Sequence, residues 1–259
     1  MRGGRRAVTV WRVLGLPDHI EACLFDLDGV LTKTATVHAA AWKATFDAFL
    51  QDRAANEGTP FVPFDEVADY DAYVDGRPRT AGVRTFLDAR DIHLPDGTTA
   101  DPPGAPTVAG LAAAKNELVL QMIETDGVEP FPGSVRYVHE VRDAGLRRGV
   151  VSASANCRAV LRAARIDDLF DVVVDGVRAN KEHLDGKPAP DTYLAGARLL
   201  GVDPARAAVF EDAQAGVRAG KAGGFGFVVG VDRAHQAAAL REDGADVVVE
   251  DLADLLGAS

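Results

Sequence analysis

The stretch CLFDLDGVLT, residues 23–32, sets two carboxylates into an apolar run and follows them at once with a glycine. An apolar run of this length ending on a turn signal predicts a buried strand. Such a strand has no ordinary use for charge, because a desolvated carboxylate is costly unless a partner offsets it. Two residues apart in extended chain, Asp26 and Asp28 project to the same side, and Gly29 lets the backbone turn away behind them. The acids therefore mark a site at a strand end.

Working outward, runs of the same kind recur as LRRGVVSAS (146–154), DVVVDG (171–176), AAVFED (207–212), FGFVVGV (225–231) and ADVVVED (245–251). Most are separated by Ala-, Arg- and Leu-rich segments of helical character, such as CRAVLRAARI and PDTYLAGARLL. Alternation of this sort predicts an α/β fold with a parallel sheet covered on both faces. Residues 34–129 break the alternation: HAAAWKATFDAFL and VAGLAAAKNELVLQMIE read as amphipathic helices on either side of a Gly/Pro-rich middle. We expect a discontinuous core, 1–33 and 130–259, carrying a helical domain at 34–129. Its hinges fall just after Thr32 and at EPFPGS, where Pro130, Pro132 and Gly133 suit a chain re-entering the core. RDIHLPDGTTADPPGAPTV (90–108) predicts a long irregular loop within the insert.

Composition excludes several classes. A formal charge of -11 argues against nucleic acid or an anionic membrane as partner. The basic start MRGGRR is not followed by a signal-peptide apolar region, and no run of 18 apolar residues occurs, so a cytoplasmic protein is expected. Cys23 and Cys157 form no CxxC pair, and six scattered histidines lack metal-ligand spacing, which argues against a disulfide framework or zinc. GGFGFVVG leads into strand rather than helix, and neither GxxxxGK[ST] nor HExxH is present.

Ligands of open α/β sheets bind at the carboxyl ends of the strands. Glu211 and Asp212 follow an apolar strand just as Asp26 and Asp28 do, so four carboxylates can converge on one hard cation such as Mg²⁺. VVSASAN offers the hydroxyls of Ser152 and Ser154, and DGKPAPD offers Lys187 ahead of a helix-starting Pro188. Hydroxyl, ammonium and Mg²⁺ together suit a phosphoryl group.

DxDGxxT, Ser, Lys-Pro and Glu-Asp in this order resemble the haloacid dehalogenase superfamily of aspartate-nucleophile phosphotransferases. The resemblance implies a Rossmann-like parallel-sheet core with an inserted α-helical cap. It also implies that Asp26 becomes an aspartyl phosphate, that Asp28 is general acid and base, and that Ser152 and Lys187 hold the phosphoryl oxygens. Mg²⁺ would be held by Asp26, Glu211, Asp212 and the Asp28 backbone carbonyl. FDLDGVLTKTATVHAAAWKA, with DGRPR and AKNE, further resembles the β-phosphoglucomutase family. That likeness implies conversion of β-D-glucose 1-phosphate to glucose 6-phosphate through glucose 1,6-bisphosphate, by a monomeric enzyme. His38 and Trp42, at i, i+4 on one helix face, would meet the general acid and substrate when the cap shuts. Arg79 would grip the distal phosphate, with Arg77 as the fallback, and Lys115, Asn116, Ser154 and Asn156 would supply further substrate contacts. Lys33, Ala155 and Ala213 depart from the family's acid, lysine and serine at those positions. The alternative reading is a sugar-phosphate phosphatase on the same core. A catalytically idle binding module would have lost Asp26 or Asp28, and both are present.

Overall fold

The computed structural model describes residues 14–257; residues 1–13 and 258–259 of the expected core lie outside the described residues. Six parallel strands form one sheet in the order β3-β2-β1-β4-β5-β6. They are β1 (Ala22–Phe25), β2 (Arg147–Val151), β3 (Val172–Val174), β4 (Ala207–Glu211), β5 (Phe227–Val231) and β6 (Val247–Val249). The first strand lies at the centre, with Phe25 opposite Val150 on one side and Phe210 on the other.

Burial on both faces explains the lack of polar alternation in these strands. Ala22 and Leu24 pack into a cluster with Val151, Tyr193 and Val209. Cys23 and Phe25 point the other way, among Tyr137, Val150 and Phe210. There Phe25 stacks on Phe210 at 4.4 Å between ring centroids. Tyr137 meets Phe25 edge-on and donates its hydroxyl to the carbonyl of Leu14 at 2.8 Å.

Between β1 and β2 the chain forms α1 (Thr34–Glu57), α2 (Arg79–Ala89), α3 (Val108–Asp126) and α4 (Pro132–Asp143). The first three belong to the helical insert, which has an apolar cluster of its own around Trp42, Phe46, Phe64, Phe86 and Leu111. Phe46 sits 4.1 Å from Phe86 and 5.1 Å from Trp42, centroid to centroid. The two connections to the insert run side by side. Lys33 N–H donates to the Glu129 carbonyl and Phe131 N–H to that of Leu31, both at 2.9 Å. The remaining helices, α5 (Cys157–Ala163), α6 (Gly176–Glu182), α7 (Asp191–Leu200), α8 (Gln214–Ala222) and α9 (Ala237–Glu242), flank the sheet.

Two expectations need correction. Strands are shorter than the apolar runs: β1 ends at Phe25, so Asp26 and Asp28 lie beyond it rather than within extended strand. Asp26 still continues the ladder, its N–H donating to the Phe210 carbonyl at 2.9 Å, and Gly29, at φ +82°, closes the turn. The Gly/Pro-rich middle of the insert also holds a third helix, α2, preceded by a single π-helical turn at Tyr70–Val74. Segment 90–108 is irregular as expected, closed by Thr107, whose Oγ accepts from Gly110 N–H to cap α3. Among the described residues no helix is long and apolar enough to cross a membrane.

Candidate active site

The carboxyl ends of β1 and β4 bring the motif acids together. One oxygen each from Asp26, Glu211 and Asp212 lies within 4.8 Å of the others. The Lys187 ammonium, on the loop before α7, contacts both Asp26 Oδ1 and Glu211 Oε1. Glu211 is further held by the Tyr193 hydroxyl at 2.8 Å and by Ala213 N–H at 3.2 Å. Burial holds Asp26 well above the usual carboxylate range; Lys187 opposes this, and Glu211 and Asp28 add to it. Burial raises Asp212 in the same way, reinforced by Asp75, Asp26 and Glu211. Burial works against the Lys187 charge, but Asp26 and Glu211 outweigh it and its pKa rises.

This donor set fits a hard divalent cation. Two buried carboxylates, Asp26 and Glu211, face one ammonium with the half-buried Asp212 beside them, and oxygen donors of this kind are what Mg²⁺ takes. The backbone is shaped around them. A Cβ at Gly29 would fall 1.7 Å from Asp212 Oδ2, and one at Gly216 would fall 1.8 Å from Glu211 Oε1.

Asp28 lies beside this cluster and accepts a hydrogen bond from Thr34 Oγ, at the first residue of α1. His38, one turn further on, presents Nε2 3.6 Å from Asp28 Oδ1. Lys115, from α3, lies behind it with Nζ 2.6 Å from His38 Nδ1 and 4.9 Å from the Trp42 ring centroid. While Lys115 is protonated it has only donors, so Nδ1 accepts and the imidazole proton sits on Nε2, facing Asp28. That Nε2 has no hydrogen-bond partner. Burial, with the charges of Lys115 and Arg79, pushes His38 down to about 4, so the imidazole is neutral near pH 7. Burial and Arg79 bring Lys115 down to about 7. Arg79 opens α2, and its guanidinium makes one long hydrogen bond, 3.4 Å to the Ala112 carbonyl.

Insert and core meet at Asn116 and Asn156, where Asn156 Nδ2 donates to Asn116 Oδ1 at 2.8 Å. Between them lies a cavity of about 70 Å³ lined by twelve of the fourteen residues singled out in the sequence, Arg77 among them. The other two, Ser152 and Lys187, are buried beside it. Ser152 Oγ accepts from Ser154 N–H, and Ser154 Oγ accepts from Asn156 N–H, each at 3.1 Å. These bonds fix the turn after β2.

The departures each have a local setting. Lys33 pairs with Glu129 across the two connections. Ala155 lies in a loop packed on Gly176, where a Cβ would come 2.6 Å from the Ala153 carbonyl. Ala213 opens α8 with no side-chain cap. Sequence reasoning missed Thr34, Tyr70, Asp75 and Tyr193. Asp75 and Tyr70 line the cavity, and burial, with Glu211 and Asp71, raises Asp75 to about 7. Asp75 had a signal, an acid before glycine after an apolar residue, the same pattern as Asp28–Gly29. Tyr193 had none, since its α7 position reads as ordinary core.

An aspartate at the centre of a parallel sheet, facing an acid pair and a lysine beneath a helical insert, defines a class. The haloacid dehalogenase-like hydrolase family model matches residues 20–224, and the chain belongs to that family. Its relatives narrow the comparison. A β-phosphoglucomutase of Mycobacterium bovis is 56% identical over 248 residues, 95% of each chain. A β-phosphoglucomutase of Bacillus subtilis is 29% identical, over 91% of this chain and 92% of the relative. The crystal structure of β-phosphoglucomutase from Clostridium difficile superposes with a TM-score of 0.70 at 27% identity, covering 91% of this chain and 93% of that one.

Proposed function

We propose that this chain is a Mg²⁺-dependent β-phosphoglucomutase, converting β-D-glucose 1-phosphate to glucose 6-phosphate, with 34–129 as a mobile cap over a core of 1–33 and 130–259. One observation carries the reading: a neutral His38 on the cap, backed by Lys115, faces Asp28 on the core. A phosphatase needs water at its aspartyl phosphate, whereas a mutase must exclude it until sugar arrives. An acid whose surroundings are completed only by the shut cap meets that need.

In the cycle, Asp26 carries the transferred phosphoryl group. The 6-hydroxyl of glucose 1-phosphate attacks that phosphorus while Asp28 removes its proton, giving glucose 1,6-bisphosphate and free Asp26. The bisphosphate turns over in the site. Asp26 then attacks the 1-phosphate while Asp28 returns the proton to the departing C1 oxygen, releasing glucose 6-phosphate and restoring the aspartyl phosphate. Lys187 and Ser152 hold the transferring oxygens, and Arg79, with Arg77 beside it, suits the phosphate at the far end. Ser154, Asn116, Asn156 and Trp42 shape the sugar site. Mg²⁺, held by Asp26, Asp212, Glu211 and the Asp28 carbonyl, would offset the charge of the phosphoryl oxygens.

The test is ³¹P NMR with Mg²⁺, β-glucose 1-phosphate and catalytic glucose 1,6-bisphosphate. Glucose 6-phosphate should accumulate without inorganic phosphate, and Asp26→Asn should abolish the conversion. Predominant phosphate release would replace the mutase reading with a sugar phosphatase.

A further inference from the structure

The loop after β5 reaches both acid turns. Arg233, two residues past the strand, donates from Nε to the Gly29 carbonyl at 3.0 Å and from Nη1 to the Glu250 carbonyl at 2.6 Å. Its guanidinium lies on the Phe131 ring, 3.7 Å from the centroid, where the return connection from the insert enters the core. Three residues on, Gln236 donates from Nε2 to the Asp212 carbonyl at 3.0 Å, and its own N–H is held by Asp232 Oδ1 at 2.8 Å. The turns so gripped touch each other, since Gly29 admits no Cβ beside Asp212.

The bond to Gly29 matters because Gly29 follows Asp28. The Thr32 carbonyl accepts the Gly29 N–H at 2.8 Å and Arg233 holds the Gly29 carbonyl, so both peptide planes of a glycine at φ +82° are fixed. A glycine is free to rotate unless such partners stop it, and the direction in which Asp28 leaves the backbone follows from the turn. Thr34 and His38, which meet the Asp28 carboxylate itself, belong to the insert; Arg233 holds the turn from the core. The guanidinium is kept there at a cost, because Nη2 is buried with no hydrogen-bond partner and an orphan donor is destabilising. A lysine would avoid the orphan, but a point charge cannot bond two carbonyls in one plane and stack on a ring.

We propose that Arg233 is a positioning residue: by fixing the Gly29 carbonyl against Phe131 and Glu250, it aims the Asp28 carboxyl at the oxygen that must be protonated. The role rests on Asp28 as the general acid of the reading above, but not on how the insert closes.

A general acid matters only where the leaving oxygen needs a proton. Attack of Asp26 on β-glucose 1-phosphate breaks the bond from phosphorus to a sugar oxygen, which takes a proton from Asp28; attack on acetyl phosphate expels acetate, which departs as a stable anion and takes none. The test therefore compares two donors on the full chain with Mg²⁺: turnover of β-glucose 1-phosphate, and single-turnover phosphorylation by acetyl phosphate read by intact mass. Arg233→Met should lower kcat for the sugar phosphate about ten- to a hundredfold, with its KM unchanged and the acetyl phosphate step at the wild-type rate. Arg233→Lys keeps the charge without the planar fork; it should fold even where methionine is not tolerated, and should show the same selective loss. Equal loss on both donors would make Arg233 a merely structural residue and overturn the proposal, as would no loss on either. Asp28→Asn should show the selective loss too; if it slows both donors alike, or neither, the general-acid reading falls and the role of Arg233 with it. The comparison holds equally where the sugar phosphate is hydrolysed rather than isomerised, so failure of the mutase reading alone leaves the proposal standing or falling on its own result.

Discussion

Lys115 shows what a single side chain costs this site. It is 4% exposed, hydrogen-bonded to an imidazole and stacked over an indole, with Arg79 as a like-charged neighbour. Its pKa falls from 10.5 to about 7, so between those values the unfolded chain binds a proton that the folded chain does not. Stability therefore rises with pH across that window, by up to about 1.4 kcal/mol per pH unit. Denaturant unfolding at pH 7.5 and 9.5 should show this gain in wild type and a smaller one in Lys115→Met; equal gains would place the lysine in water. Resemblance to the β-phosphoglucomutase family marked Lys115 in the sequence, but its burial could not be read there. A lysine in AAAKNEL looks like helix surface until α1 is packed against α3. Asp26 was legible for the opposite reason, since charge inside an apolar run has few structural uses.

At the scale of elements, the strand ends depend on absent side chains as much as on present ones. Gly29 combines φ +82° with a clearance that admits no Cβ beside Asp212. Gly29→Ala should cost roughly 1–3 kcal/mol in backbone strain and displace Asp212, lowering thermal stability and Mg²⁺ affinity together. A variant that melts like wild type and binds Mg²⁺ normally would show that the turn relaxes freely. Alternation of apolar runs with helical segments made the sheet legible, because β-branched runs of five to seven residues have one natural home in a parallel sheet. Strand limits were not legible. Apolar residues lie outside the paired segments at Leu27, Phe225 and Ala245, and only the partner strands decide where pairing starts and stops. The π-helical turn and α2 were hidden by Gly76 and Pro78, which read as loop although Pro78 caps a helix.

The whole molecule is described in a shut arrangement. Its active-site cavity, of about 70 Å³, is small beside the roughly 300–1,000 Å³ of ordinary ligand pockets. On the mutase reading proposed above, insert and core separate for each exchange of substrate, breaking the Asn116–Asn156 hydrogen bond. Cysteines at those two positions, joined by a short reducible crosslinker, should abolish the turnover that the unlinked double variant retains, and reductive cleavage should bring it back to that level. Turnover in the linked protein would mean that substrate enters by another path. The sequence could announce an insert and its two connections, but not its resting position, which depends on side chains such as Asn116 and Asn156, 40 positions apart, meeting across a gap.

The place of β1 at the middle of the sheet has a consequence for how the chain is made. Cys23 pairs with Arg148 on one side and Ala208 on the other, so the strand leading to Asp26 emerges from the ribosome early and waits for neighbours made more than a hundred residues later. The insert, whose apolar cluster is local, has its full complement of partners long before that. Non-local pairing waits for the chain that supplies it. During synthesis the helical lid is complete while the floor it will cover does not yet exist, and the acid cluster assembles only when β4 arrives.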